Sequence, residues 1–194
     1  MATKLDEAIA RVAVARGRDG WNAMIPLGAQ VASQLTPKDI SKLPDRWAPK
    51  VSANKAGVPE FEDSWEFLWF EALAEILVQC GRAGLPGLLG LMERDGCTYH
   101  HFVIVRVLRL AADGIDRDEL LERVRRRFET LQHVWTRASV NEVKNWMMID
   151  RRPLELLQPM AGIVVPRTDG ETIGTYLGVM GPEWASRQNS TPVS

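Results

Sequence analysis

Apolar residues along this chain recur mostly at helical spacing. Leu5, Ile9, Val12 and Ala13 predict an amphipathic helix over residues 4–16, ending before Gly17 or Gly20. Ile25, Leu27, Val31 and Leu35 continue the period after Trp21, with Pro26 kinking or starting that helix. Thr36-Pro37 supplies an N-cap and a first-turn proline for a short helix to about Leu43. Residues 44–59 hold three prolines and no apolar period, the signature of a loop that is either functional or tacked down by Trp47. From Glu60 to Gln79 there is no helix breaker. Trp65, Leu68, Trp69, Ala72, Ile76 and Cys80 form one stripe, widened by Phe67, Leu73 and Leu77. A stripe that wide predicts a helix packed on two sides, with Glu71 and Glu75 one turn apart on what stays exposed.

The densest apolar content lies in residues 85–112, read as two short antiparallel helices joined at Asp95-Gly96 and expected to be the centre of the fold. FVIVRVLRL is rich in β-branched residues, but positions 103, 104, 107, 108 and 111 have helical spacing and favour a helix. Asp116 with Glu119 opens a further helix that buries Leu120, Leu121, Val124, Phe128 and Leu131. Ser139 and Glu142 repeat the capping signal, and Pro153 starts a short helix to Leu157. After Pro159 the chain turns glycine-rich and β-branched, with Asp169-Gly170 between two apolar runs, which predicts a β-hairpin or an irregular extended cover.

Leu85-Pro86, Leu88-Leu89, Leu91-Met92 and then Asp95 resemble the first helix and turn of a HEAT-type repeat. In that family a second helix follows, opened by a Val-Arg pair. Here the pair falls on His100-His101, so the Asp-to-Arg ladder between neighbouring repeats is missing. The resemblance covers residues 85–112 and implies an architecture without an activity. The expected fold is therefore all-α: an irregular antiparallel helical array with a central HEAT-like hairpin and a small β-hairpin near the C-terminus. Residues 1–185 should form a single helical domain and 186–194 a disordered tail.

Composition narrows the function classes. The 194 residues suit one domain with a real core. A formal charge of −1 weighs against a general polyanion binder. Two cysteines, Cys80 and Cys97, make no disulfide framework and point to a reducing cytosol. Charges at Asp6, Glu7 and Arg11 interrupt the N-terminal apolar residues, so no signal peptide is read there, and no uncharged run approaches a membrane span. The expectation is a cytoplasmic protein without a membrane anchor or cofactor.

Candidate chemistry is sparse. Cys97, His100 and His101 form C-x2-H-H, and Cys97 with His101 could offer two metal ligands. A structural zinc needs four, and the other soft ligands are His133 and Cys80. As a nucleophile pair, Cys97 and His101 lack a legible orienting group and oxyanion hole. No metal or catalytic residue is assigned, and an enzyme working from residues 97–101 stands as a second alternative. Arg123, Arg126 and Arg127, with Lys144, Arg151 and Arg152, compose a nucleic-acid alternative. Residues 116–130, however, balance five basic with five acidic side chains, largely at i,i+4 spacing. Charge is also segregated: residues 38–55 hold five basic and two acidic side chains, residues 60–75 six acidic and none basic. An acidic, aromatic-rimmed surface would suit a basic protein partner. The residues expected to face it are Glu66, Glu71, Glu75 and Trp47, with Arg106 and Arg109 from the apolar second helix of the hairpin. The leading expectation is a non-enzymatic protein-binding module, by analogy a bacterial toxin-neutralising (immunity) or adaptor protein.

Overall fold

A computed structural model describes residues 2–56, 64–94 and 100–130, together with Arg152 and Leu156. The described elements are α1 (Lys4–Asp19), α2 (Trp21–Ala32), α3 (Pro37–Ile40), a 3-10 turn (Pro44–Arg46), α4 (Trp65–Gln79), a second 3-10 turn (Gly81–Ala83), α5 (Leu85–Met92), α6 (His100–Ala112) and α7 (Arg117–Thr130). The protein is all-α, and no strand occurs among the described residues.

Local chemistry sets the helix ends. Thr3 opens α1 in a capping box: its hydroxyl accepts from the Asp6 amide, and the Asp6 carboxylate accepts from the Thr3 amide at 2.7 Å. Such a box satisfies two of the orphan donors at a helix start. Thr36 and Asp39 repeat the device at α3, and Ser64 caps α4. The helix α1 runs through Gly17 and ends at Gly20, whose φ of +73° is the left-handed conformation that glycine adopts without a Cβ penalty. Pro26 lies inside α2 with an exposed position, so the helix starts well before it.

Packing converges on α4, which contacts α1, α2, α5 and α6. All its residues from Leu68 to Val78 are buried, as expected of a helix covered on two sides. The hub is thus α4, and the 85–112 pair packs beside it instead of forming the centre: α5 lies against α4 and α6, and α6 against α4, α5 and α7. FVIVRVLRL is helical, with Val103, Ile104, Val107, Leu108 and Ala111 buried. Ile9, Val12, Met24 and Val31 from the first two helices join Trp69, Leu73, Ile76, Leu77, Leu88 and Leu120 in one core. Each such side chain contributes about 1.5–3 kcal/mol on burial. Gly84 sets how closely α5 approaches the end of α4, because a Cβ there would fall 1.9 Å from the Leu77 carbonyl oxygen.

The connection after α3 is held by indoles. Trp69 Nε1 donates to the Arg46 carbonyl and Trp65 Nε1 to the Val51 carbonyl, both at 2.7 Å. Arg46 also reaches back to the buried Asp6 carboxylate at 3.2 Å. These contacts tack down the described part of the loop. The helix signalled by Ser139 and Glu142, the extended segment around Asp169-Gly170 and the tail lie outside the described residues. Leu156, in the short segment after Pro153, is helical and buried.

Candidate functional site

Two helices of this core carry charge where only apolar side chains would be cheap. Glu71 and Glu75, one turn apart on α4, are fully buried, as is Arg106 on α6. Burying an ion is tolerable only when its hydrogen-bonding capacity is met by partners. Glu71 accepts from Arg16 Nε of α1 at 2.7 Å and from Trp21 Nε1 of α2 at 2.6 Å, and Arg106 Nη2 lies 3.7 Å away. Glu75 accepts from Arg106 Nε at 3.1 Å, from Arg109 Nη1 at 3.0 Å and from Gln79 Nε2 at 2.7 Å. All four carboxylate oxygens therefore hold at least one donor. Two carboxylates face three guanidiniums, and the excess positive charge is relieved at the edges, where the Arg16 and Arg109 side chains keep 14% and 15% exposure. The Arg16 guanidinium also stacks 4.6 Å from the Trp21 ring, so that one indole accepts the cation on its face and donates its N–H to the anion. Gly28 lets α2 come this close: a Cβ there would meet Glu75 Cγ at 3.2 Å.

Four of the six residues expected to face a protein partner thus come together, but in the interior. The expectation of an exposed Glu71 and Glu75 is corrected, because α4 has no free face there: α1 and α6 bring arginines to both. Arg106 is likewise buried and Arg109 mostly so. Glu66 remains exposed in the first turn of α4. Trp47 is 42% exposed, the large hydrophobic side chain most open to solvent among the described residues, and Arg94 stacks on it at 4.6 Å. The overlooked signal lay in the composition of the two helices. Among its described residues α4 carries acids and no base, and α6 sets Arg106 and Arg109 in an apolar run without an acid.

The arginines of α7 are matched locally. Arg123 binds Glu93 at 2.6 Å and stands 3.8 Å from Glu119, while Arg125 and Arg126 both bind Glu122 at 2.9 Å. Those two hydrogen bonds hold the Glu122 carboxyl down to about 2. Arg127 donates to the Arg94 carbonyl at 3.2 Å. These groups line a cleft of about 530 Å³ in which three acids oppose three bases, Glu93, Glu119 and Glu122 against Arg123, Arg126 and Arg127. Arg152 pairs with Asp113 at 2.6 Å. Lys144, Arg151, Cys97 and His133 lie outside the described residues, and His100 and His101 open α6. Burial pushes the Cys80 thiol up to about 11, away from the reactive thiolate.

A second cleft, of about 360 Å³, lies between α3 with its following 3-10 turn and the start of α5. Pro37, Ile40, Ser41 and Pro44 form one side; Ala83, Pro86 and Gly87 form the other. Gly87 keeps it shaped this way, since a Cβ would press on Pro44 Cγ and Leu77 Cδ2 at 2.9 Å. Pro86 sits at the N-terminal end of α5, and Arg94, stacked on Trp47, follows its C-terminal end. Trp47 directly follows the 3-10 turn that begins at Pro44 on the cleft wall, so the exposed indole lies three residues along the chain from the cleft. No family model, no curated protein and no solved structure matches the chain.

Proposed function

We propose that this protein is a non-enzymatic helical module that binds one protein partner through the surface running along α5 from the Pro37–Pro86 cleft to Trp47. The observation that carries the reading is Trp47 itself. A large aromatic left 42% exposed while other indoles of the chain hydrogen-bond inward carries a hydration cost that a partner would remove. Its stacked arginine, Arg94, adds the second residue type concentrated at binding hot spots. The α5–α6 pair, whose sequence resembles a HEAT hairpin, would serve as the rigid backing of that surface. A cytoplasmic location and a toxin-neutralising or adaptor role fit this reading by analogy of size and architecture. None of the described helices is long and apolar enough to cross a membrane, which fits a partner met in water.

Trp47→Ala tests the proposal. The side chain makes little of the core, so the variant should melt within a few degrees of the parent. If Trp47 is a hot spot, affinity for the partner should fall about 30-fold, the equivalent of about 2 kcal/mol. Native-host affinity capture with quantitative mass spectrometry reads this directly: the partner is retained by the parent and depleted on Trp47→Ala. Identical capture profiles for the two proteins would refute the reading. The arginines of α7 favour no nucleic-acid reading, because their charge is already met by Glu93, Glu119 and Glu122.

A further inference from the structure

We infer that Asp113–Gly114, in the turn between α6 and α7, is a site of spontaneous isomerisation to isoaspartate, and that Arg152 guards it. The chain has Asp-Gly pairs at 19–20, 95–96, 113–114 and 169–170, of which the first and third lie among the described residues. A glycine after aspartate is the follower most open to this chemistry, because no Cβ shields the attacking nitrogen. The Gly114 amide nitrogen attacks Cγ of the Asp113 carboxyl in its acid form. An N–Cγ bond forms, a Cγ–O bond breaks, and the amide proton leaves with the hydroxyl as water. Water then opens the succinimide ring. Opening at the main-chain carbonyl leaves the backbone running through Cβ and Cγ, with a free carboxylate on Cα. No oxidant or further reactant is required.

The two described pairs differ in what holds them. Asp19 is the last residue of α1, and the Gly20 amide closes a helical turn by donating to the Arg16 carbonyl at 3.0 Å. Bringing that amide under the Asp19 carboxyl means rotating Asp19 out of the helical well and breaking the bond. Asp113 lies one residue beyond α6, and the Gly114 amide is held by a tighter turn to the Ala111 carbonyl at 3.1 Å. Both residues of this pair are exposed, and Gly114 stands at φ +81° with nothing within 4 Å of where a Cβ would be, so its nitrogen is unscreened. What remains is Arg152. Its Nη1 donates to Asp113 Oδ1 at 2.6 Å, and this bond must break before Cγ can turn onto the amide. The two side chains are 55% and 49% exposed, and an ion pair so open to water shifts populations a few-fold and no more. The pair therefore slows the reaction without preventing it. The product adds a backbone atom just ahead of the Gly114 and Ile115 amides, which pair with the Ala111 and Leu110 carbonyls, and withdraws the carboxylate from Arg152.

The test is ageing of the full chain at 37 °C and neutral pH, folded and in guanidinium chloride. Tryptic peptides 110–117 and 19–38 are resolved chromatographically against synthetic aspartyl and isoaspartyl standards. Folded Arg152→Ala should isomerise at Asp113 about 3–5-fold faster than the folded parent, with Arg152→Lys, which keeps the cation, between the two. In denaturant all three should share one rate, faster than any folded form. Asp19 should isomerise more slowly than Asp113 in the folded parent and keep its rate in Arg152→Ala, which separates loss of the guard from loosening of the whole fold. Equal rates at Asp113 in the folded parent and Arg152→Ala, including none in either, overturn the inference. So does a folded parent that reacts as fast as the denatured chain, a faster reaction at Asp19 than at Asp113, or a rise at both sites alike.

Discussion

Replacing Glu75 by leucine is the most informative perturbation of this fold. The carboxylate is fully buried, 3.1 Å from Arg106 Nε and 3.0 Å from Arg109 Nη1. At an effective dielectric of about 20, a pair at that distance attracts by about 5 kcal/mol, most of it offset by the desolvation of both ions. The cost of the substitution comes instead from what is left behind. Arg106 has no exposure with which to recover water, so its Nε would be a buried donor facing leucine. Deleting one partner of a buried ion pair costs about 3–5 kcal/mol, against a stability of about 5–15 kcal/mol for a typical domain. Glu75→Leu with Arg106→Met should recover most of that loss. Glu71 keeps Arg16 and Trp21, Arg109 can swing outward from its 15% exposed position, and two apolar side chains fill the gap. The coupling between the two positions should then be about 2–3 kcal/mol. Urea unfolding followed by tryptophan fluorescence and by far-UV circular dichroism provides the cycle, with coincident transitions confirming two-state behaviour. A single variant within about 1 kcal/mol of the parent, or a double variant as unstable as the summed singles, would refute the account of the network.

Two glycines of the α5 region, Gly84 just before the helix and Gly90 within it, should respond oppositely to alanine. Gly84→Ala drives a Cβ into the Leu77 carbonyl and should destabilise by about 1–3 kcal/mol or more, whereas Gly90→Ala, which meets nothing within 4 Å, should stabilise by about 0.5–1 kcal/mol; equal shifts in melting temperature would contradict the packing described. In a Cys97→Ser background, Cys80 should react with iodoacetamide far more slowly at pH 8.5 when folded than in urea. Its raised value also means that its contribution to stability is present below pH 9 and fades toward about 11; equal alkylation rates would show the thiol is not held by burial. Glu122, lowered from 4.5 to about 2, favours the fold above pH 4.5 and loses that contribution as pH falls toward 2. Its carboxyl resonance should titrate near 2 and return toward 4.5 in Arg125→Ala with Arg126→Ala, and a parent midpoint already at 4.5 would show those hydrogen bonds absent in solution.

Where a structural cause was local, the sequence carried it. Thr36-Pro37 marked the start of α3 because both the cap and the fixed proline φ act within one turn. The wide apolar stripe of α4 announced a helix covered on two sides, since periodicity counts the faces that need cover. The pairing of Glu71 and Glu75 was hidden because their partners come from elsewhere. Arg16 is 55 positions from Glu71, and Arg106 and Arg109 are 31 and 34 positions from Glu75. A helix-surface rule that looks three or four residues away assigns such carboxylates to solvent. The same distance dependence misplaced the centre of the fold: apolar density is highest in residues 85–112, yet α4 touches more neighbours because it alone lies between the first two helices and the later pair. The cleft between α3 and α5 was equally out of view, as Pro37, Pro44 and Pro86 reach one cleft only after α3 and α5 have packed.

The ionic network also constrains how this sequence can drift. Any single substitution at Glu75 or Arg106 passes through a state with a stranded interior charge, so a lineage can leave this arrangement only by changing several positions within a short interval, or by first acquiring spare stability elsewhere. Positions 16, 71, 75, 106 and 109 should therefore be inherited as a block. Descendants of a common ancestor would show either the full charged set or an apolar replacement of its buried members, and few intermediates. Exposed positions such as Lys38 and Lys42, each free to change alone, are under no such constraint, so the interior would mark kinship long after the surface had ceased to.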